Sequence, residues 1–133
     1  MQCKNKIFMK LLTSISILLL VLFSSCKKDE DVTIQGNWNG QSMVSKYYVN
    51  NVLDNTETES LAGLSVNFKS DGTVVSTENG TSETFSYTHS GNTLTLDGEV
   101  WTVQVLNETN LTLYMKTTYA PGEYDETTLS FTR

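Results

Sequence analysis

From residue 36 onward, apolar and polar residues alternate in short runs, and no run has the spacing of an amphipathic helix. The clearest run is residues 64–68 (LSVNF), in which every second side chain is apolar, as in a strand with one buried face. Turn-forming pairs such as Asp97-Gly98 separate these runs. The alternation also predicts that Trp38, Val44 and Tyr48 share one face. The predicted strands are residues 38–49, 64–68, 73–78, 85–89, 93–96, 101–106, 111–116 and 127–132.

This arrangement predicts an all-β domain over residues 36–133. Nearly all the predicted connections have the length of hairpin turns, which favours antiparallel neighbours in sequence order. We therefore predict an eight-stranded antiparallel up-and-down barrel, because a closed sheet leaves no unpaired edge strand. A two-sheet β-sandwich is the alternative.

Residues 49–63 (VNNVLDNTETESLAG) interrupt this regular order. The segment is acidic, rich in Asn and Thr, and has no sustained periodicity. It is predicted to be a long loop, and loops of this length inside compact domains are usually functional or disordered. A lid over a site and a flexible hairpin loop are both compatible with the sequence.

The first 25 residues are predicted to be a secretory signal. Lys4, Lys6 and Lys10 precede the apolar run 11–23 (LLTSISILLLVLF), and the segment holds no acidic residue. As a helix that run would extend about 20 Å, whereas a bilayer core is about 30 Å thick. A basic start, a short apolar middle and the small residues Ser24-Ser25 are typical of a cleaved signal rather than a membrane span. A buried N-terminal helix is the alternative.

The charge balance argues against a nucleic-acid partner. The chain has a net charge of -6 and a pI near 4.6, and the predicted signal holds three of its nine basic residues. Nucleic-acid binding requires clustered Lys and Arg, which this chain lacks. One His and two Cys leave little material for a structural zinc site, so we predict no metal and no cofactor.

Residues 22–26 (LFSSC) resemble a bacterial lipobox, in which small residues precede a cysteine that becomes the first mature residue. The resemblance implies that the Cys26 thiol is alkylated by diacylglycerol and that the new amino group is acylated. A disulfide between Cys26 and Cys3 is the alternative, but Cys3 leaves with the signal. Two or three acyl chains would hold the protein firmly on a membrane.

Residues 26–35 are predicted to form a flexible tether between the lipid and the domain, because residues 27–31 (KKDED) are a run of charges. A charged stretch after the lipidated cysteine resembles the export signal of surface lipoproteins in Bacteroidota. These resemblances imply an outer-membrane lipoprotein on the periplasmic face or the cell surface.

Three motifs resemble lipocalin-like domain lipoproteins of the Bacteroidota type. They are Gly36-Asn37-Trp38, residues 68–74 (FKSDGTV) and residues 87–96 (YTHSGNTLTL), in an order and spacing that cover the predicted domain. The resemblance implies a barrel closed at one end by the Trp38 ring. In lipocalins an Arg near the last strand stacks on this Trp, and the only Arg here is Arg133.

The sequence gives little support to catalysis. His89 is the only His, and a Ser–His–acid triad would need a nucleophile and an acid placed around it. A position on the surface or at the rim of a cavity is the simpler interpretation of His89. The acidic segments 29–31 and 123–126 lack calcium-loop spacing and are predicted to be solvated charges. We predict that the protein is not an enzyme.

Eleven of the thirteen aromatic residues lie in the predicted domain, which is many for its size, and most of them should fill the core. Some are candidates for a ligand pocket, which combines apolar walls with a few polar groups. The favoured hypothesis is an envelope protein that binds a small apolar or amphipathic ligand, with a cavity of about 300 Å³ or more. The alternative is an interaction or inhibitor module, with a filled barrel and an exposed patch at Tyr114, Tyr119 and Tyr124. The candidate ligand-binding residues are Tyr47, Tyr48, Tyr87, His89 and Tyr119.

Overall fold

The computed structural model describes residues 32–133, which hold nine β-strands and no helix. The predictions on residues 1–31, including the signal and Cys26, lie outside the described residues. The strands are β1 (Gly36–Val49), β2 (Val52–Ser60), β3 (Leu64–Phe68), β4 (Thr73–Glu78), β5 (Thr81–Ser90), β6 (Thr93–Leu96), β7 (Glu99–Leu106), β8 (Asn110–Ala120) and β9 (Glu123–Thr132).

Eight of these strands close into an antiparallel barrel. Strands β3 to β9 pair in sequence order, and β1 pairs with both β3 and β9. This confirms the predicted all-β, up-and-down, eight-stranded barrel rather than the sandwich. The eight predicted strands correspond to β1 and β3–β9, because each buries an alternating face that the sequence displays.

Strand β2 is the ninth strand, and it corrects the predicted loop at residues 49–63. Asn50 and Asn51 have φ values of 53° and 63°, which suit a two-residue hairpin turn, and β2 pairs with β1 over most of its length. All nine residues of β2 are exposed. Because neither face of the strand is buried, its sequence carries no apolar alternation.

Strands β2 and β3 follow each other along the same edge of β1, so they act as one strand with a break at residues 61–63. Gly40 lies opposite this break. A Cβ added to Gly40 would stand 2.7 Å from both Cβ and the carbonyl oxygen of Leu61, so only glycine fits without a shift of the backbone.

The register of β1 shifts beside Gly40, between Gly40 and Ser42 on the β9 side. One extra residue reverses which side chains point into the barrel. Trp38 therefore points inward, whereas Val44 and Tyr48 lie on the opposite face. The prediction that these three residues share a face was wrong, because the alternation in the sequence does not show the bulge.

Two hairpins continue beyond one end of the barrel as a four-stranded sheet in the order β2-β1-β9-β8. We call this part, residues 43–60 and 115–127, the sheet extension. The side chains on its inner face are continuous along each strand with those that point into the barrel. The side chains on its outer face are continuous with those on the barrel exterior. Tyr47 and Asp125 are paired on the inner face, and Tyr48 and Tyr124 are paired on the outer face.

Candidate functional site

A cavity of about 420 Å³ occupies the half of the barrel nearest the sheet extension. Its wall comes from β3 to β9, whose inward side chains here include small ones, such as Val66 and Ser76. A barrel of eight strands has an interior that side chains just fill, so small inward residues leave a void. The cavity is lined by Leu64, Val66, Phe68, Val74, Ser76, Phe85, Leu96, Asp97, Glu99, Trp101, Leu113, Leu129 and Phe131.

The cavity wall is mainly apolar, with few polar groups. Asp97 and Glu99 are exposed at the β6–β7 turn and mark the mouth. Trp101 is 8% exposed, and its indole N–H is buried without an acceptor among the described residues. A buried donor without a partner costs free energy, so an acceptor supplied from outside would be favourable at this position. The wall can therefore hold an apolar body and satisfy one hydrogen-bonding group.

The opposite end of the barrel is closed around Trp38, which is fully buried. The Trp38 Nε1–H donates to the carbonyl oxygen of Ile34 at 2.7 Å, and Ile34 is itself buried although it falls within the predicted tether. The Arg133 guanidinium lies 4.1 Å from the centroid of the Trp38 ring. Arg133 also donates to the carbonyl oxygens of Glu108 and Gln35, at 2.8 and 3.0 Å. The cation–π contact that the resemblance implied is therefore present.

Tyr87 and His89 lie near this closed end. The Tyr87 ring packs edge-on against Phe68, and its hydroxyl donates to the carbonyl oxygen of Lys69 at 2.7 Å. Burial, followed by the charge of Asp71, raises the pKa of Tyr87. Tyr87 and His89 border a separate, polar depression, and the buried Nε2 of His89 has no hydrogen-bond partner among the described residues.

Tyr47 and Tyr119 lie on the sheet extension and are 37% and 60% exposed. The Tyr119 hydroxyl donates to Oδ2 of Asp125 at 2.8 Å, and this hydrogen bond is the main cause of the raised pKa of Tyr119. Tyr48 lies on the opposite face of the extension, where its ring stacks on Tyr124 with 4.6 Å between centroids.

A tyrosine cluster lies on the outer face, formed by Tyr48 and Tyr124 of the extension and by Tyr114, which directly precedes the extension on β8. Burial, followed by the nearby Glu126 carboxylate, raises the pKa of both Tyr48 and Tyr114. The Lys116 ammonium lies 3.4 Å from the centroid of the Tyr124 ring. Tyr119 is on the inner face, so the predicted patch at Tyr114, Tyr119 and Tyr124 is divided between two faces.

The five candidate ligand-binding residues therefore do not form one site. Tyr87 and His89 lie together at the closed end, Tyr47 and Tyr119 lie on the inner face of the extension, and Tyr48 lies on its outer face. None of the five lines the apolar cavity. Tyr47 lines a separate, polar depression of about 430 Å³ on the sheet extension, together with Glu57 and Asp125. Their part in ligand binding stays a prediction. Sequence analysis did not identify Val66, Ser76 and Trp101 as cavity residues. The alternation of apolar and polar positions is the same whether the inward side chains fill a barrel or leave it hollow.

Among residues 32–133, no three His, Cys, Asp or Glu side chains converge in a way that would hold a metal ion. In the same part of the chain, no helix has the length and apolar content needed to cross a membrane. No model of a known protein family matches the chain, and no curated protein is significantly similar to it.

Proposed function

We propose that the protein is a lipid-anchored envelope protein whose lipocalin-like barrel binds a small apolar or amphipathic ligand. The observation that carries this proposal is the apolar cavity of about 420 Å³ at the open end of the barrel. Ligand sites are typically apolar cavities of roughly 300–1,000 Å³ with a few convergent polar groups. Trp101, Asp97 and Glu99 would provide those groups.

The closed end supports this role by sealing the cavity on one side. Trp38 is packed on all sides, and Arg133 covers its ring. A ligand would therefore enter between the β6–β7 turn and the sheet extension. The cavity favours ligand binding over the alternative of an interaction module with a filled barrel.

Binding rather than catalysis is also the simpler role for the described residues. His89 borders a depression apart from the large cavity, and its Nε2 has no hydroxyl partner to activate. The cavity itself holds no histidine and no cysteine.

Ligand binding is tested by native mass spectrometry of the chain purified from its host, to detect a co-purified small molecule. Val66→Phe places a larger side chain in the cavity and should abolish the added mass. Asn67→Phe makes the same type of change at the neighbouring, outward position of β3 and should retain it. A chain that carries no added mass and binds none of a series of simple amphiphiles would overturn the proposal.

The anchor is tested separately, by substitution of Cys26. Cys26→Ala removes the thiol to which diacylglycerol would be joined, so the protein should move from the membrane fraction to the soluble fraction. Cys3→Ala is the matched control and should leave the protein in the membrane fraction. If mass spectrometry of the unsubstituted protein from the membrane fraction shows no lipid on Cys26, lipid anchoring at this residue is wrong.

A further inference from the structure

We infer that the cavity is built for a cationic amphiphile, with the apolar chain inside the barrel and the positive headgroup between the β6–β7 turn and the sheet extension. This inference rests on the proposed function and names the class of ligand for the same site. It depends on where the charged residues lie around the mouth.

The ionisable residues that line the cavity are both acidic. Asp97 and Glu99 stand on either side of the glycine in the β6–β7 turn, exposed at the mouth, and no Lys, Arg or His lines the wall. Glu78 and Glu83 follow beside it, in a smaller polar depression that shares Ser76 with the cavity. A negative headgroup at the mouth would meet like charges and find no counterion.

The inner face of the sheet extension continues this acidic environment beyond the mouth. Glu57 and Glu59 on β2 are paired with Ser45 and Met43 of β1, on the face that continues the barrel interior. Asp125 on β9 shares that face, and its Oδ1 is buried without a hydrogen-bond partner among the described residues. A headgroup that extends out of the barrel would therefore remain beside carboxylates.

The basic residues of the described chain lie elsewhere. Residues 32–133 contain twelve acidic and four basic residues. Arg133 lies over Trp38 at the closed end, and Lys69 follows β3 at that same end. Lys46 and Lys116 are both paired with Glu126 on the outer face of the extension. Lys46 also borders the polar depression of the extension, where it meets three acidic residues, Asp54, Glu57 and Asp125. The separation of charge along the barrel axis favours a ligand with a positive head over a fatty acid.

The experiment compares three ligands with the same alkyl chain, namely decyltrimethylammonium, 1-decanol and decyl sulfate, each below its micelle concentration. Their affinities are measured by calorimetric titration of the mature chain, residues 26–133, carrying Cys26→Ala, so that neither a lipid nor the apolar signal takes part and no detergent is needed. Exposed charge pairs contribute little individually, and we expect the cation to bind about tenfold more tightly than the anion, with the alcohol between them. This ratio should shrink at high salt, because salt screens exposed charges.

Glu99→Gln should reduce the preference for the cation by about threefold and leave the affinity for 1-decanol unchanged. Glu108→Gln removes the same charge from an exposed position in the β7–β8 turn, at the closed end, and should change none of the three affinities. Equal binding of cation and anion, or tighter binding of the anion, would overturn the inference while leaving the proposed function standing. If none of the three ligands binds, the proposed function fails and this inference fails with it.

Discussion

The closed end and the open end of the barrel are built from the same strands, but they differ in whether the inward side chains fill the interior. At the closed end, Trp38 occupies the interior, the edge-on rings of Phe68 and Tyr87 pack nearby, and Arg133 covers Trp38 from outside. At the open end, Val66 and Ser76 face a cavity, and the sheet extension stands beside its mouth. The difference indicates that one end is closely packed, whereas the other leaves an apolar space that we propose holds a ligand.

The largest expected effect is a difference in stability between alanine substitutions of the two tryptophans. Trp38→Ala should lower the free energy of unfolding by about 3–5 kcal/mol, because it empties a closely packed site. Trp101→Ala should cost less, about 2–3 kcal/mol, because Trp101 already borders a cavity and its N–H has no partner to lose. Denaturant titrations of both variants measure the difference. A loss below about 1 kcal/mol at Trp38 would contradict its place in the core.

The next largest loss of stability is expected at the boundary between the barrel and the extension. Gly40→Ala should lower the free energy of unfolding by about 1–3 kcal/mol, because the added methyl group meets the backbone of Leu61 at 2.7 Å. Gln41→Ala is the control at the next, exposed position and should cost less than about 0.5 kcal/mol. Equal stabilities of the two variants would show that the break between β2 and β3 does not pack against Gly40.

A smaller difference in stability is expected between variants that remove one or the other of two tyrosine hydroxyls. Tyr87→Phe removes a partly buried hydrogen bond to the Lys69 carbonyl and should cost about 1 kcal/mol. Tyr119→Phe removes an exposed hydrogen bond to Asp125 and should cost a few tenths of a kcal/mol, on the order of other surface changes. Thermal or denaturant unfolding of the pair gives the comparison. A larger loss for Tyr119→Phe would mean that the extension is more tightly packed than the closed end.

The smallest expected change in stability is the one caused by alkaline pH. The pKa values of Tyr48, Tyr87 and Tyr114 are raised above 10.0, so the folded protein holds these protons more tightly than the unfolded chain. Their contribution to stability is complete below about pH 10 and is lost as the pH rises through the folded pKa values. The free energy of unfolding should therefore decline gradually above about pH 10. A flat or rising profile in that range would contradict the environments assigned to these hydroxyls.

The barrel was predictable from the sequence because each of its strands buries one face. Residues 64–68 alternate in sequence and line the interior in the structure. Strand β2 was missed for the opposite reason, since all its side chains are exposed and only backbone pairing with β1 holds it in place. The Asn50-Asn51 pair was the available signal, because two residues that tolerate positive φ favour a hairpin turn.

The position of the cavity was not predictable in the same way. Alternation shows which side chains point inward, but it does not show whether those side chains fill the space between opposite walls. Aromatic residues near turns therefore suggested a ligand site at Tyr47, Tyr48 and Tyr119, whereas the apolar cavity lies deeper and is lined by aliphatic residues, three phenylalanines and Trp101. The bulge beside Gly40 also reverses the face on which Tyr48 lies, and the alternation in the sequence does not show this bulge.

We propose above that the open end of the barrel is the ligand site, and this can be measured directly. The direct measurement is a map of backbone amide chemical shifts during titration of the isotopically labelled chain with 1-decanol. We expect saturable shifts concentrated at cavity residues such as Val66, Ser76 and Trp101, with little change at Trp38 or the outer tyrosine cluster. Shifts centred on the tyrosine cluster, or no saturable shifts at all, would contradict the proposal.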